Sequence, residues 1–153
     1  MKNNLQKNRS EKGQSLVELG FSMMVLMLIL AGVIELGMLL FQYVAMRDAA
    51  EEGAAYVSLY PSGNGCNQTI ERVKKNLYNV DPAQVQVDVL VHGTACLDTA
   101  PQFACAGQEA TVIVSQPNYR ITMPFLGSAL GRQSLNIQAK VTSTIIRPAC
   151  PTP

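Results

Sequence analysis

Six consecutive residues, Gly13, Gln14, Ser15, Leu16, Val17 and Glu18, offer the clearest chemistry in the chain. A cut after Gly13 exposes a cationic amine on Gln14 and leaves Glu18 as the fifth residue of the shortened chain. About one helical turn then separates amine from carboxylate. At the edge of a hydrocarbon layer an unpaired charge is costly, and a neighbouring amine offsets much of that cost. Glu18 could therefore pair with its own amine or with that of a neighbouring subunit, which favours docking into a bundle. Alone, the same glutamate reads as an interfacial carboxylate marking where a membrane begins.

Other chemistry is sparse. His92 is the sole histidine and stands beside Gly93, a turn position rather than that of a base. No Cys-x-x-Cys pair, paired carboxylates of an outer domain, Gly-rich phosphate loop or nucleophile motif occurs, so neither an enzyme, a cofactor, a small-molecule substrate nor a metal is expected. Lys74 and Lys75 are an isolated basic pair in a neutral region, which gives no nucleic-acid surface. The seven methionines read as adaptable packing.

The element that must position Gly13 and Glu18 is an apolar run from Leu19 to Met46. It contains no proline, and Glu35 is its only charge. Its 28 residues form a helix about 42 Å long, more than a bilayer core needs. If about 20 residues from near Ser15 fill the bilayer, Glu35 falls at the outer boundary, where its cost is small. Its functional alternative is an intramembrane partner for a basic group of an assembly platform. Residues 36–46 then project about 16 Å further, apolar on nearly every face, and must be covered by the chain's own outer domain or by other helices. Gly20, Gly32 and Gly37 permit close approach without forming a GxxxG spacing.

Charge orients this helix. Lys2, Lys7, Arg9 and Lys12 precede it with a single acid, Glu11, whereas eight basic and eight acidic residues cancel from Arg47 onward. The positive flank places the amino terminus in the cytoplasm and the remainder outside. Cys66, Cys96, Cys105 and Cys150 all lie in that outer part, consistent with disulfides in an oxidising compartment. Residues 1–12 read as a leader, and an ordinary secretory signal fits poorly because the apolar run is about twice the usual length.

Beyond Met46 the helix continues with one wet face to Tyr60 and should stop at Pro61, followed by a loop at Ser62, Gly63, Asn64 and Gly65. Asn67 or Thr69 caps a second helix through about Leu77. After Asp81 and Pro82 the period becomes two. Val85, Val87, Val89 and Val91 mark one strand, Ala110, Val112 and Val114 the next, and Tyr119, Ile121 and Met123 a short third. Leu135, Ile137, Ala139, Val141, Ser143 and Ile145 mark the last. A sheet with one apolar face needs a cover, and the outer half of the long helix supplies it. Cys96 and Cys105 bracket a loop between two strands, which favours pairing them and Cys66 with Cys150, one of three connectivities open to four cysteines.

The run from Gly13 to Glu18, the long apolar helix, and Ala49, Ala50, Glu51, Glu52, Gly53, Ala54, Ala55 and Tyr56 together resemble the TadE-like family of the tight-adherence (Flp-type) pilus, with a type III prepilin signal. The resemblance covers roughly residues 9–60. It implies a pilin-like α+β fold: a leader at 1–13, a helix with a transmembrane segment at 14–60, and an extracytoplasmic domain at 61–153. It further implies cleavage by a prepilin peptidase, residence in a bacterial inner membrane with its lipid, and association with other pilin-like subunits and the pilus assembly platform. Leu19 stands where major pilins of this class tend to have an aromatic residue, and those subunits are far shorter, so a minor pilin or pseudopilin is implied. The alternative is an unprocessed single-pass scaffold or adaptor with a periplasmic interaction domain.

Overall fold

A computed structural model describes residues 3–61, 65–96, 104–123, 127–128 and 131–147, with side chains from Gly13 onward. Helix α1 spans Asn3–Leu59 and α2 spans Gly65–Lys75. Strands β1 (Gln86–Val91), β2 (Thr94–Ala95), β3 (Glu109–Arg120) and β4 (Ser134–Thr144) form one antiparallel sheet in the order β2-β1-β3-β4. The fold is α+β, and the chain divides into two compact units, Met1–Gly37 and Met38–Pro153.

The first unit is helix alone. Its apolar side chains find few partners within the unit, and Leu16 is 72% and Phe21 69% exposed. In the second unit, Met46, Ala49, Ala50, Ala54 and Val57 recur at helical spacing and join one core with the sheet residues Val89, Val91, Ala110, Val112, Val114, Ile137 and Ala139. The alternating valines of β1 and the even positions of β3 thus face the helix, as their period of two requires. Asn136, Gln138, Lys140, Thr142 and Thr144 of β4 are exposed on the opposite face.

Small residues set how closely α1 approaches its neighbours. A Cβ added to Gly53 would lie 2.4 Å from Cγ2 of Val73 and 3.5 Å from both Thr69 Cγ2 and Val112 Cγ1. Gly53 is therefore the point where α1, α2 and β3 meet. Helix α1 ends at Leu59, with Tyr60 N–H still bonded to Tyr56 O at 3.0 Å, because Pro61 cannot extend it.

Several boundaries differ from the sequence expectation. Helix α2 begins at Gly65, ahead of the expected caps. The turn into it is so tight that a Cβ at Gly65 would fall 2.0 Å from Tyr60 O. Thr69 bonds back to Gly65 O at 2.7 Å from inside the helix, and Leu77 is buried just past its end. The two strands expected around 109–115 and 119–123 are one strand, β3, with an irregularity between Gln116 and Tyr119. Pro117 lacks an N–H for the ladder, so β3 takes one extra residue as a bulge and pairing resumes at Tyr119 opposite Leu135.

His92 and Gly93 both have positive φ, 50° and 76°, and form the two-residue turn of a hairpin, as the turn position expected for His92 implies, with the short strand β2 after it as the part not expected. The hairpin corrects the disulfide pairing. Cys96 turns back to bond its N–H to Val89 O at 2.8 Å, which brings it to Cys66 at the start of α2, 5.8 Å between Cα atoms, and not to Cys105. The expected Cys96–Cys105 and Cys66–Cys150 pairs are thus replaced by Cys66–Cys96. Cys105 is also disulfide-bonded. Cys150 lies outside the described residues, as do Ser62, Gly63 and Asn64 of the expected loop.

Candidate processing site and assembly helix

Gly13, Gln14 and Glu18 all lie on α1, and all three are exposed. Gln14 and Glu18 are four residues apart and share a face of the helix, the spacing at which a new amine and a carboxylate can meet. A Cβ placed on Gly13 meets nothing within 4 Å. Among the described residues, the fold itself therefore has no steric need for glycine there.

The two carboxylates of the apolar run stand in different surroundings. Glu18 is exposed at the start of the run, whereas Glu35 is 5% exposed and engaged. Glu35 lies on the helical stripe that continues through Leu39, Gln42, Met46 and Ala49. Sequence reading placed it at a membrane boundary by length alone, without a signal that it would be enclosed.

Between residues 16 and 44, twenty large apolar side chains are exposed. At about 1.5 kcal/mol for each unburied side chain, the uncovered surface amounts to roughly 30 kcal/mol, well above the 5–15 kcal/mol that holds an ordinary domain together. Such a surface requires a cover, and among the described residues it has none. The helix is long and apolar enough to cross a membrane over Gly13–Leu59, and only 6% of its most apolar stretch is buried, which separates it from the core helix of a soluble domain.

In the second unit, α1 and α2 are clasped by polar contacts that periodicity did not reveal. Tyr56 donates its hydroxyl to Gln68, Asn76 donates to Glu52, and the Arg72 guanidinium stacks 4.3 Å above the Tyr56 ring. Around this clasp runs an open groove lined by Glu52, Gln68, Glu71, Arg72, Lys75 and Asn76. Its groups are largely paired and solvated, without the buried, convergent polar atoms of a catalytic pocket. His92 is exposed at its hairpin tip, and among the described residues no three His, Cys, Asp or Glu side chains gather to hold a metal.

Fold and helix together define an α+β protein that fits a single-pass membrane anchor carrying a small sheet domain. Residues 13–55, all within α1, match the family model described as TadE-like protein. The match opens on Gly13 and closes two residues past Gly53, so it contains the proposed scissile glycine, the exposed apolar surface and the close-packed contact with α2. It points to a protein related to the tight-adherence pilus. No curated protein and no solved structure matches the chain.

Proposed function

We propose that this chain is a minor pilin or pseudopilin of a tight-adherence type pilus, cut by a prepilin peptidase between Gly13 and Gln14 and active in pilus assembly or its associated secretion machinery. The observation that carries the reading is the uncovered apolar helix beginning directly after that bond. In a bacterial inner membrane, lipid covers residues near 15–35, with the basic leader held in the cytoplasm and the sheet domain on the periplasmic or extracellular side. Cleavage removes Lys2, Lys7, Arg9 and Lys12, the charges that retain the amino terminus in the cytoplasm.

Assembly then exchanges lipid contacts for equivalent contacts with the helices of other pilin-like subunits on the assembly platform. Apolar side chains gain little from that exchange in itself, so direction must come from polar groups. The Glu18 carboxylate, uncomfortable in hydrocarbon, finds the Gln14 amine of a neighbouring subunit only in the bundle. Glu35, already enclosed, contributes less to this step than Glu18.

One observation favours the alternative of an unprocessed scaffold. Helix α1 is continuous from Asn3 through Gly13, so the peptidase must unwind a turn to reach the bond. Glycine, about 1 kcal/mol worse than alanine in a helix, makes that turn the easiest to open. The amino-terminal sequence and mass of the protein from its native membrane, with and without the peptidase, separate the two. A chain beginning at Gln14 only when the peptidase is present supports processing, and one retaining residues 1–13 in both supports the scaffold.

A further inference from the structure

The sheet ends in two unlike edges. On one side β2 is 2 residues long, and on the other β4 runs for 11. Ile145 N–H bonds Gln108 O and Gly107 N–H bonds Ile145 O, both at 2.9 Å, and Gln133 O accepts from Ile121 N–H at 3.0 Å. Odd-numbered residues of β4 therefore aim their backbone groups at β3, and the even-numbered ones aim theirs the other way, because the direction alternates along a strand. Ser134, Asn136, Gln138, Lys140, Thr142 and Thr144 thus present N–H and C=O along the outer edge. None of these groups has a backbone partner among the described residues. Ile146, next in the row, does find one: its N–H bonds Ser58 O at 2.9 Å.

Little in β4 blunts this edge. It has no proline, glycine or bulge of its own, since the irregularity between Gln116 and Tyr119 belongs to β3. Native sheets normally shield so long an edge, because a row of unpaired donors and acceptors is a template for another strand. Burial on the helix side points the same way: Val112 and Val114 of β3 are fully buried, whereas Leu135, Val141 and Ser143 on that face of β4 are half-buried. Charge gives the edge a sign. Arg132, Lys140 and Arg147 lie on or beside β4, all exposed and outside any ion pair among the described residues. No acidic residue occurs from Ala110 to Pro153.

From this edge we propose that β4 takes an extended, acidic segment of a partner protein as a fifth strand of the sheet. Main-chain bonds to the outward-facing residues supply the affinity, and alternate side chains of the incoming strand cover Leu135 and Val141. On the opposite face, its carboxylates meet Lys140, as opposite charges across a strand pair favour. A second copy of β4 is the poorer match, since it sets Arg132, Lys140 and Arg147 against the same three cations. Lys140 thus guards the edge against unsuited strands and selects the one of opposite sign. The inference uses the second unit alone and does not depend on cleavage at Gly13.

The test uses the full chain in detergent micelles and two probes, a peptide alternating valine with glutamate and its twin with lysine in place of glutamate. Amide hydrogen exchange is read residue by residue. The acidic peptide is expected to slow exchange several-fold at Asn136, Gln138, Lys140 and Thr142. Ile137, Ala139 and Val141, already bonded to β3, should change little, and the basic twin should leave all of them unchanged. Lys140→Glu should reverse the preference between the peptides. Gln138→Pro should abolish protection, because this N–H points away from β3 and an edge strand tolerates proline there. An unchanged thermal unfolding transition checks the fold of the proline variant, and Lys140→Glu carries the test if that variant does not fold. Equal protection by both peptides, protection by neither, or a preference unmoved by Lys140→Glu overturns the proposal. So does protection of the same amides that grows with protein concentration in the absence of peptide, which makes the occupant a second copy.

Discussion

On the proposed reading, three positions on α1 separate processing, assembly and folding. Gly13 has open space around it, so Gly13→Leu should leave the sheet domain's thermal unfolding unchanged while abolishing the size shift on maturation. Glu18 is exposed, and Glu18→Ala should insert and be cleaved normally yet recover few partner subunits on co-purification; full recovery of partners by a cleaved variant would remove the carboxylate from the mechanism. Gly53 has no such space. Gly53→Ala gains about 1 kcal/mol of helix propensity but drives a methyl into Val73, and overpacking of this kind costs roughly 1–3 kcal/mol. We expect net destabilisation of about 1 kcal/mol in urea unfolding of the full chain in detergent, with Val73→Ala in the same chain relieving part of it.

At the scale of elements, the disulfide gives the sharpest expectation. Cys66 and Cys96 are 30 residues apart in sequence, and the chain-entropy relation assigns a loop of that length about 3.6 kcal/mol. Cys66→Ser/Cys96→Ser should lower stability by roughly 2–4 kcal/mol. Peptide mapping without reduction should recover Cys66 and Cys96 in one linked fragment, and a fragment linking Cys96 to Cys105 would contradict the fold around the hairpin.

Much of this layer was legible in the residues because burial on one face imposes a period. The valines from Val85 to Val91 and the run from Leu135 to Ile145 declare their strands and faces, and the uninterrupted apolar run declares α1. What escaped depends on partners distant in sequence. Strand β2 has only two residues and no period of its own. The passage of β3 through Pro117 relies on the bulge opposite β4. The Cys66–Cys96 pair follows from the hairpin reversing the chain over α2. Gly53 gave a faint signal, as one of several small residues from Ala49 to Ala55, but only its three neighbours show why a side chain fails there. At the candidate site, the placement of Gly13 and Glu18 on one helix was readable from the sequence, while the enclosure of Glu35 was not.

On the scale of the whole molecule, one quantity dominates: the apolar surface on α1 exceeds what the stability of a domain this size can leave in water. On the reading proposed here, a membrane covers it first and other helices cover it later. On that reading the basic leader orients it and Gly13 marks where the leader is removed, while the sheet domain packs on the helix from about Leu39 onward. The most direct measurement is to extract native membranes with alkaline carbonate and centrifuge the extract without detergent. The account predicts that the chain stays in the membrane pellet and enters solution only with detergent. A monodisperse, detergent-free monomer in the supernatant would contradict it.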